Sequence, residues 1–243
     1  MTARREEIVC ADIGDLARRA AVEWMRAADE AIARAGRFAV ALSGGNTPRA
    51  LYTELAGGEF RSRIAWDRVH FFWGDERCVP ADHADSNYRM AYEALLARVP
   101  VPTANIHRIE TERGTEKAAA AYEAVLRDFF SSSPDTFPRF DLILLGIGEE
   151  GHTASLFPGS PALEERDRLV TAVYVEKLKT DRITFTLPML NSAAEVAFLV
   201  AGKSKAAVVK ETLRDGADVP AARVAPANGR LSWFLDKEAA ALL

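Results

Sequence analysis

The stretch FAVALSGGNTPRA, Phe38 to Ala50, decides the reading of the fold. Its first five residues are apolar without alternation, the pattern of a strand buried on both faces rather than one with a solvated side. Ser43, Gly44 and Gly45 break the run. Thr47-Pro48 then suits a helix start with Pro48 at the first helical position, and RALYTELAG continues it. A buried strand feeding a helix through a glycine turn is the opening half of a parallel βαβ unit.

The same grammar repeats outward from this stretch. Upstream, Asp15–Arg34 places Leu16, Ala20, Trp24, Ala27, Ala28 and Ile32 on one helical face and stops at Gly36. Downstream, VHFFW (Val69–Trp73) is a second buried strand, ending at Gly74-Asp75-Glu76-Arg77. Ser86–Arg98 is a helix capped by Ser86 or Asn87, and Thr115–Phe130 is another. Asp141–Leu145 (DLILL) is a third buried strand, again ending in glycine. Val170–Val175, Ile183–Leu187 and Val196–Val200 read as strands and Lys203–Arg214 as a helix. Buried strands alternating with helices predict an α/β fold, a parallel sheet with helices on both faces. Ser131–Arg139 is a loop rather than a linker, so one domain spans residues 1–243, with a small excursion near residues 170–190.

Composition narrows the function classes. The 243 residues are 49% hydrophobic and 27% charged, as in ordinary globular chains, and the net charge is −4. A nucleic-acid or anionic-membrane partner calls for a basic surplus, which is absent here. Cys10 and Cys78 support neither a disulfide framework nor a CxxC site, and no His/Asp/Glu spacing resembles a metal site. The N-terminal apolar patch is four residues long, too short for a signal-peptide core, and no run approaches 18 apolar residues. The expected location is the cytoplasm. Oligomeric state is not written in the sequence.

Three strands end in polar, glycine-rich turns, SGGNTP, GDER and GIGEEGHT. In an open parallel sheet such turns meet outside the carboxyl ends of the strands, where ligands bind. In the first turn, Gly44 and Gly45 allow backbone N–H groups close to an anion at a helix N-terminus, with Ser43, Asn46 and Thr47 as further donors. The GK[ST] end of a Walker A loop is missing. A plain structural turn remains open, as does a nucleophile elbow on Ser43 with Asp75 or Asp141 and His152. In the second turn, Arg77 offers a planar fork for phosphate that Asp75 or Glu76 orients, while a solvated ion-paired loop accounts equally for the charges.

The third turn holds GxGxxG at Gly146, Gly148 and Gly151. A dinucleotide site needs a long helix there, and Pro158 interrupts it. His152, beside Glu149 and Glu150, suits a general base near neutral pH. His70, His83 and His107 read as core or surface residues. Lys203 or Lys205 at a helix start and Arg182 before a strand reach a phosphate at the same edge, or simply face water.

Taken together, LSGGNTP, the GDER-VP-SNYR block, LLGIGEEGHTASLFPG, RITFTLPMLNSA and the GKSKA helix start resemble the 6-phosphogluconolactonase family, in the family's order and up to WFLDKEAA. The resemblance implies a modified Rossmann-like α/β sandwich shared with glucosamine-6-phosphate deaminase and ribose-5-phosphate isomerase. It implies hydrolysis of 6-phospho-D-glucono-1,5-lactone to 6-phosphogluconate in the pentose phosphate pathway, without metal or organic cofactor. The family's G-x-G-x-D-G-H-T carries Glu150 here in place of aspartate. The deaminase has a glutamate before the loop's proline, where this chain has Phe157. A sugar-phosphate sensor would need a DNA-binding module, for which there is neither length nor basic charge. The resulting expectation has Gly44, Gly45 and Thr47 donating to the substrate phosphate, with Arg77, Lys205 and, more weakly, Arg182 neutralising it. His152 activates water, and Glu150 or Asp75 orients the imidazole.

Overall fold

The computed structural model describes residues 4–243. In chain order the elements are β1 (Arg4–Cys10), α1 (Ile13–Ala35), β2 (Phe38–Leu42), α2 (Asn46–Leu55), α3 (Gly58–Arg63), β3 (Val69–Trp73), β4 (Asp75–Arg77) and α4 (Asn87–Ala94). They continue with α5 (Thr115–Phe130), β5 (Leu142–Leu145), β6 (Val170–Val175), β7 (Thr180–Phe185), α6 (Leu187–Asn191), β8 (Glu195–Val200), α7 (Ala206–Lys210) and β9 (Arg230–Asp236). Six strands form one sheet in the order β1-β9-β8-β5-β2-β3, every pair parallel. The register runs Phe38↔Val69 to Leu42↔Trp73 on one side of β2, and Val40↔Leu142 on the other.

From β2 the chain moves outward to edge strand β3, then returns to β5 on the opposite side of β2. The β2–β5 gap is therefore the topological switch point, and the turns after these two strands flank it. All five residues of β2 and all four of β5 are buried, as unalternating apolar runs require. Asp12 caps α1 by accepting from the Gly14 and Asp15 N–H groups, and Gly36 ends it in the left-handed conformation. Trp24 from α1 packs edge-on against Phe38, and Phe198 stacks on Trp233 across β8 and β9. No described helix is long and apolar enough to cross a membrane.

The structure departs from the sequence reading in several places. Asp75-Glu76-Arg77, expected as a turn, is the strand β4 of a second, antiparallel sheet ordered β4-β7-β6. This sheet includes the excursion expected near residues 170–190. β7 ends at Phe185, and Leu187 opens α6 under the Thr186 cap instead of closing a strand. The charged segment RREEIVC and the C-terminal RLSWFLD lie outside the strands expected from sequence, yet they pair from Arg4↔Arg230 to Cys10↔Asp236. Pro48 is the third residue of α2, not the first, because the helix starts at Asn46 behind Gly45. The helix expected over 86–98 breaks after Ala94 into a 3₁₀ turn at Leu96–Arg98. The one expected over 203–214 is a 3₁₀ turn, α7 and a π-turn in succession.

Candidate active site

The three glycine-rich turns do converge. A cavity of about 200 Å³ opens at the carboxyl edge between Ser43–Gly45, β4 and the turn after β5, with Arg182 and Lys205 completing its wall. Gly44 has to lack a side chain, since a Cβ there would lie 1.9 Å from Asn87 Oδ1. Asn46 and Thr47 form the first turn of α2 and do not line this cavity.

Strand alternation separates the two acids of β4. Asp75 is buried in the site, where its Oδ2 accepts from Ser155 Oγ at 2.7 Å and its Oδ1 from Asn87 Nδ2 at 3.3 Å. The Asn87 amide also donates to the Asp75 carbonyl at 2.9 Å. Glu76 is equally buried and accepts from the N–H groups of Arg77, Asn87 and Tyr88 and from Ser86 Oγ. Burial raises its pKa while these backbone donors pull it back. Glu76 therefore satisfies the N-terminus of α4 and takes no part in the cavity wall.

The cations are arranged differently. Arg77 and Arg182 lie directly opposite each other in the β4–β7 register. Arg77 Nη1 donates to the Asp85 carbonyl at 2.5 Å, but the buried Nε of each arginine has no partner. Burial, and then the Arg77 charge, push the Arg182 pKa down. Among the described residues, neither arginine nor Lys205 has a carboxylate within ion-pair distance, whereas nearby Lys177 pairs with Glu150. Like charges facing each other across strands oppose folding, and an anion between them would offset that repulsion.

His152 is held from several sides. Its carbonyl accepts from Gly148 N–H at 2.8 Å, and Thr153 Oγ1 donates to the Gly146 carbonyl at 2.9 Å, closing the loop after β5. A Cβ on Gly148 would sit 2.0 Å from His152 Nδ1. The imidazole stacks on Phe157 at 4.1 Å between centroids. Nδ1 is buried 3.3 Å from Glu150 Oε2, close enough for ion pairing but not aligned as a hydrogen bond. Glu150 Oε1 also meets Lys177 Nζ at 3.2 Å. Glu150 thus stands behind the imidazole and lines an adjoining cavity of about 440 Å³, not the central one. Burial pushes the His152 pKa below its usual value, and the Glu150 and Asp75 charges offset part of that shift.

The rival arrangements are not assembled. Ser43 Oγ donates to its neighbour's carbonyl, on Gly44, at 3.2 Å and has no bond to His152 among the described residues. Asp141 pairs with Arg34 and the Ala39 N–H, next to the amino end of β5. No helix follows the GxGxxG run before the 3₁₀ turn at Pro161–Glu164. His70 and His107 contact each other at 3.3 Å, and His83 serves the Asp85 N–H. Sequence reasoning missed Asn87 as a site residue, because its capping position already explained it. It missed Ser155 altogether, since nothing local marks a serine whose partner is 80 residues away.

An open parallel sheet with a glycine-lined, cationic cavity at its switch point defines an α/β protein that receives a small anionic ligand between its carboxyl-end loops. Residues 11–233 match the family described as glucosamine-6-phosphate isomerases/6-phosphogluconolactonase, and the chain belongs to it. It is 45% identical over 219 residues to the 6-phosphogluconolactonase of Nostoc sp. (strain PCC 7120), covering 88% of each chain. It is 48% identical over 214 residues to that of Synechocystis sp. (strain PCC 6803), covering 86% of each. Among solved structures, 6-phosphogluconolactonase from Trypanosoma brucei superposes with a TM-score of 0.87 at 30% identity over the whole of both chains. A monomeric glucosamine-6-phosphate deaminase shares the fold, with a TM-score of 0.82 at 19% identity over 98% of this chain and all of that one.

Proposed function

We propose that the chain hydrolyses 6-phospho-D-glucono-1,5-lactone to 6-phospho-D-gluconate in the pentose phosphate pathway. The observation that carries this reading is the shared cavity, where three cations without carboxylate partners among the described residues face a partly buried histidine. Arg77, Arg182 and Lys205 take the 6-phosphate, with the N–H groups of Gly44 and Gly45 as further donors. A lactone is an activated ester, so a positioned water and relief of the oxyanion charge suffice.

His152 is the general base. A proton on Nδ1, toward Glu150, leaves the Nε2 lone pair free for water. As the water oxygen adds to C1, Nε2 takes its proton, and the C1 carbonyl pair moves onto oxygen. When the carbonyl re-forms and the C1–O5 bond breaks, the same proton passes to O5. Glu150 supports the transient imidazolium from behind, and Asp75 supports it across the cavity. Phe157, stacked on the ring, has no proton to exchange, which favours hydrolysis over the deaminase reaction.

The test is lactone disappearance with freshly made substrate, spontaneous hydrolysis subtracted. Wild type should exceed background by orders of magnitude. His152→Ala should lose about 10²-fold or more in kcat while still binding 6-phosphogluconate. Wild-type rates at background, or a fully active His152→Ala, would sink the reading.

A further inference from the structure

We propose that Tyr52 and Tyr122 are positioning residues, Tyr52 fixing the anion loop and Tyr122 fixing the strand that carries Asp75 and Arg77. The inference rests on the reaction proposed above. Tyr52 lies on α2, and its hydroxyl accepts from the Ser43 N–H at 2.9 Å while donating to the Ser43 carbonyl at 2.8 Å. Tyr122 lies on α5 and does the same to Trp73, accepting from its N–H at 2.8 Å and donating to its carbonyl at 3.2 Å. Ser43 is the first residue beyond β2 and Trp73 the last of β3, so each clamp sits at a strand's carboxyl end, that of Tyr52 one residue before Gly44 and that of Tyr122 two residues before Asp75, both in the cavity wall.

The physical need is specific. A residue in extended backbone presents its N–H and C=O to one side, and both are left without partners where the ladder stops. A phenol is a donor and an acceptor at a single atom, and it reaches the strand end from a helix one layer away. Both rings are fully buried, and burial raises both phenol pKa values, so each hydroxyl keeps its proton and its lone pairs together. The core does not pair every polar group in this way, since the buried indoles of Trp24, Trp73 and Trp233 have no hydrogen-bond partner. The two clamps stand where the backbone leaves the sheet to build the site.

The test compares Tyr52→Phe and Tyr122→Phe by steady-state kinetics, by calorimetric Kd for 6-phospho-D-gluconate, and by unfolding midpoint. Tyr52→Phe should raise KM and Kd about tenfold with kcat within about twofold, because only the anion loop is loosened. Tyr122→Phe should lower kcat about tenfold as well, because Asp75 moves with Arg77. Lower midpoints with unchanged constants per folded molecule, or the same kinetic signature for both variants, would overturn the proposal. If Tyr52→Phe does not fold, replacement by p-aminophenylalanine keeps a donor and weakens the acceptor. That variant should raise Kd about threefold, and a wild-type Kd would count against the clamp. Failure of the wild type to hydrolyse the lactone would sink the catalytic reading alone, since the Kd comparison still measures the clamp.

Discussion

His152, the general base proposed above, has a pKa held down by burial and partly restored by Glu150 and Asp75. The sign for catalysis follows from the neutral imidazole being the active form. The rate is full at neutral pH and falls as acid protonates the ring, with its midpoint below the ordinary value of about 6.5. Glu150 favours the imidazolium, so Glu150→Gln should move this acid limb to still lower pH and reduce kcat several-fold. A pH–rate profile of both proteins checks it, and a limb that stays in place separates Glu150 from the imidazole. The arginine pair gives a prediction of opposite signs. Arg182→Met removes the partly buried like charge opposite Arg77, so the ligand-free protein should gain about 0.5 kcal/mol. The same change should raise KM about tenfold by removing one charge-assisted bond to phosphate. Urea unfolding and kinetics on the one variant measure both.

At the scale of elements, the loop after β5 and the start of α4 set the site's precision. Gly148→Ala places a methyl group on the imidazole, so kcat should fall at least tenfold as the ring is displaced. An unchanged kcat would show that the ring tolerates displacement. Glu76→Ala removes the acceptor for the Asn87 and Tyr88 N–H groups at the α4 terminus and for the Arg77 N–H on β4, and should cost about 1–3 kcal/mol, read by denaturant midpoint. These elements differ in how far they can be read from sequence. The turn after β5 is legible because glycines and His152 follow an all-apolar strand. Strand β4 is not, since three charged residues carry no apolar pattern, and only pairing with β7 makes them a strand.

Across the whole molecule, the aromatic layer beneath edge strand β3 ties stability to pH. His107 stacks on Phe72 and contacts His70, and burial, then the His70 charge, pushes its pKa down to about 4. A folded-state pKa below the unfolded value of about 6.5 means the unfolded chain binds the proton more readily. Stability is therefore full above about 6.5 and declines as pH falls toward 4. Because the ring is only partly buried, the loss discounted for solvent is about 1–2 kcal/mol. Urea midpoints at pH 7.5 and pH 4.5 should differ less in His107→Phe than in wild type, and equal differences would assign the acid sensitivity to other groups.

The sequence by itself determined the α/β class, the buried strands of the sheet centre and the two glycine turns that carry Gly44 and His152, and it singled out Asp75 and Arg77 without showing that they lie on a strand. These follow from local rules, because a strand covered on both faces must be apolar throughout and a backbone approaching a ligand needs glycine. Tertiary structure alone decided the pairing of charged β1 with β9, the opposition of Arg77 to Arg182, the Ser155 and Asn87 bonds to Asp75, and the tyrosine clamps. Each joins residues from about ten to more than 200 positions apart, through single hydrogen bonds or edge pairing. Such contacts leave no periodic trace in the chain, since one polar side chain among apolar neighbours looks the same whether or not a distant partner meets it.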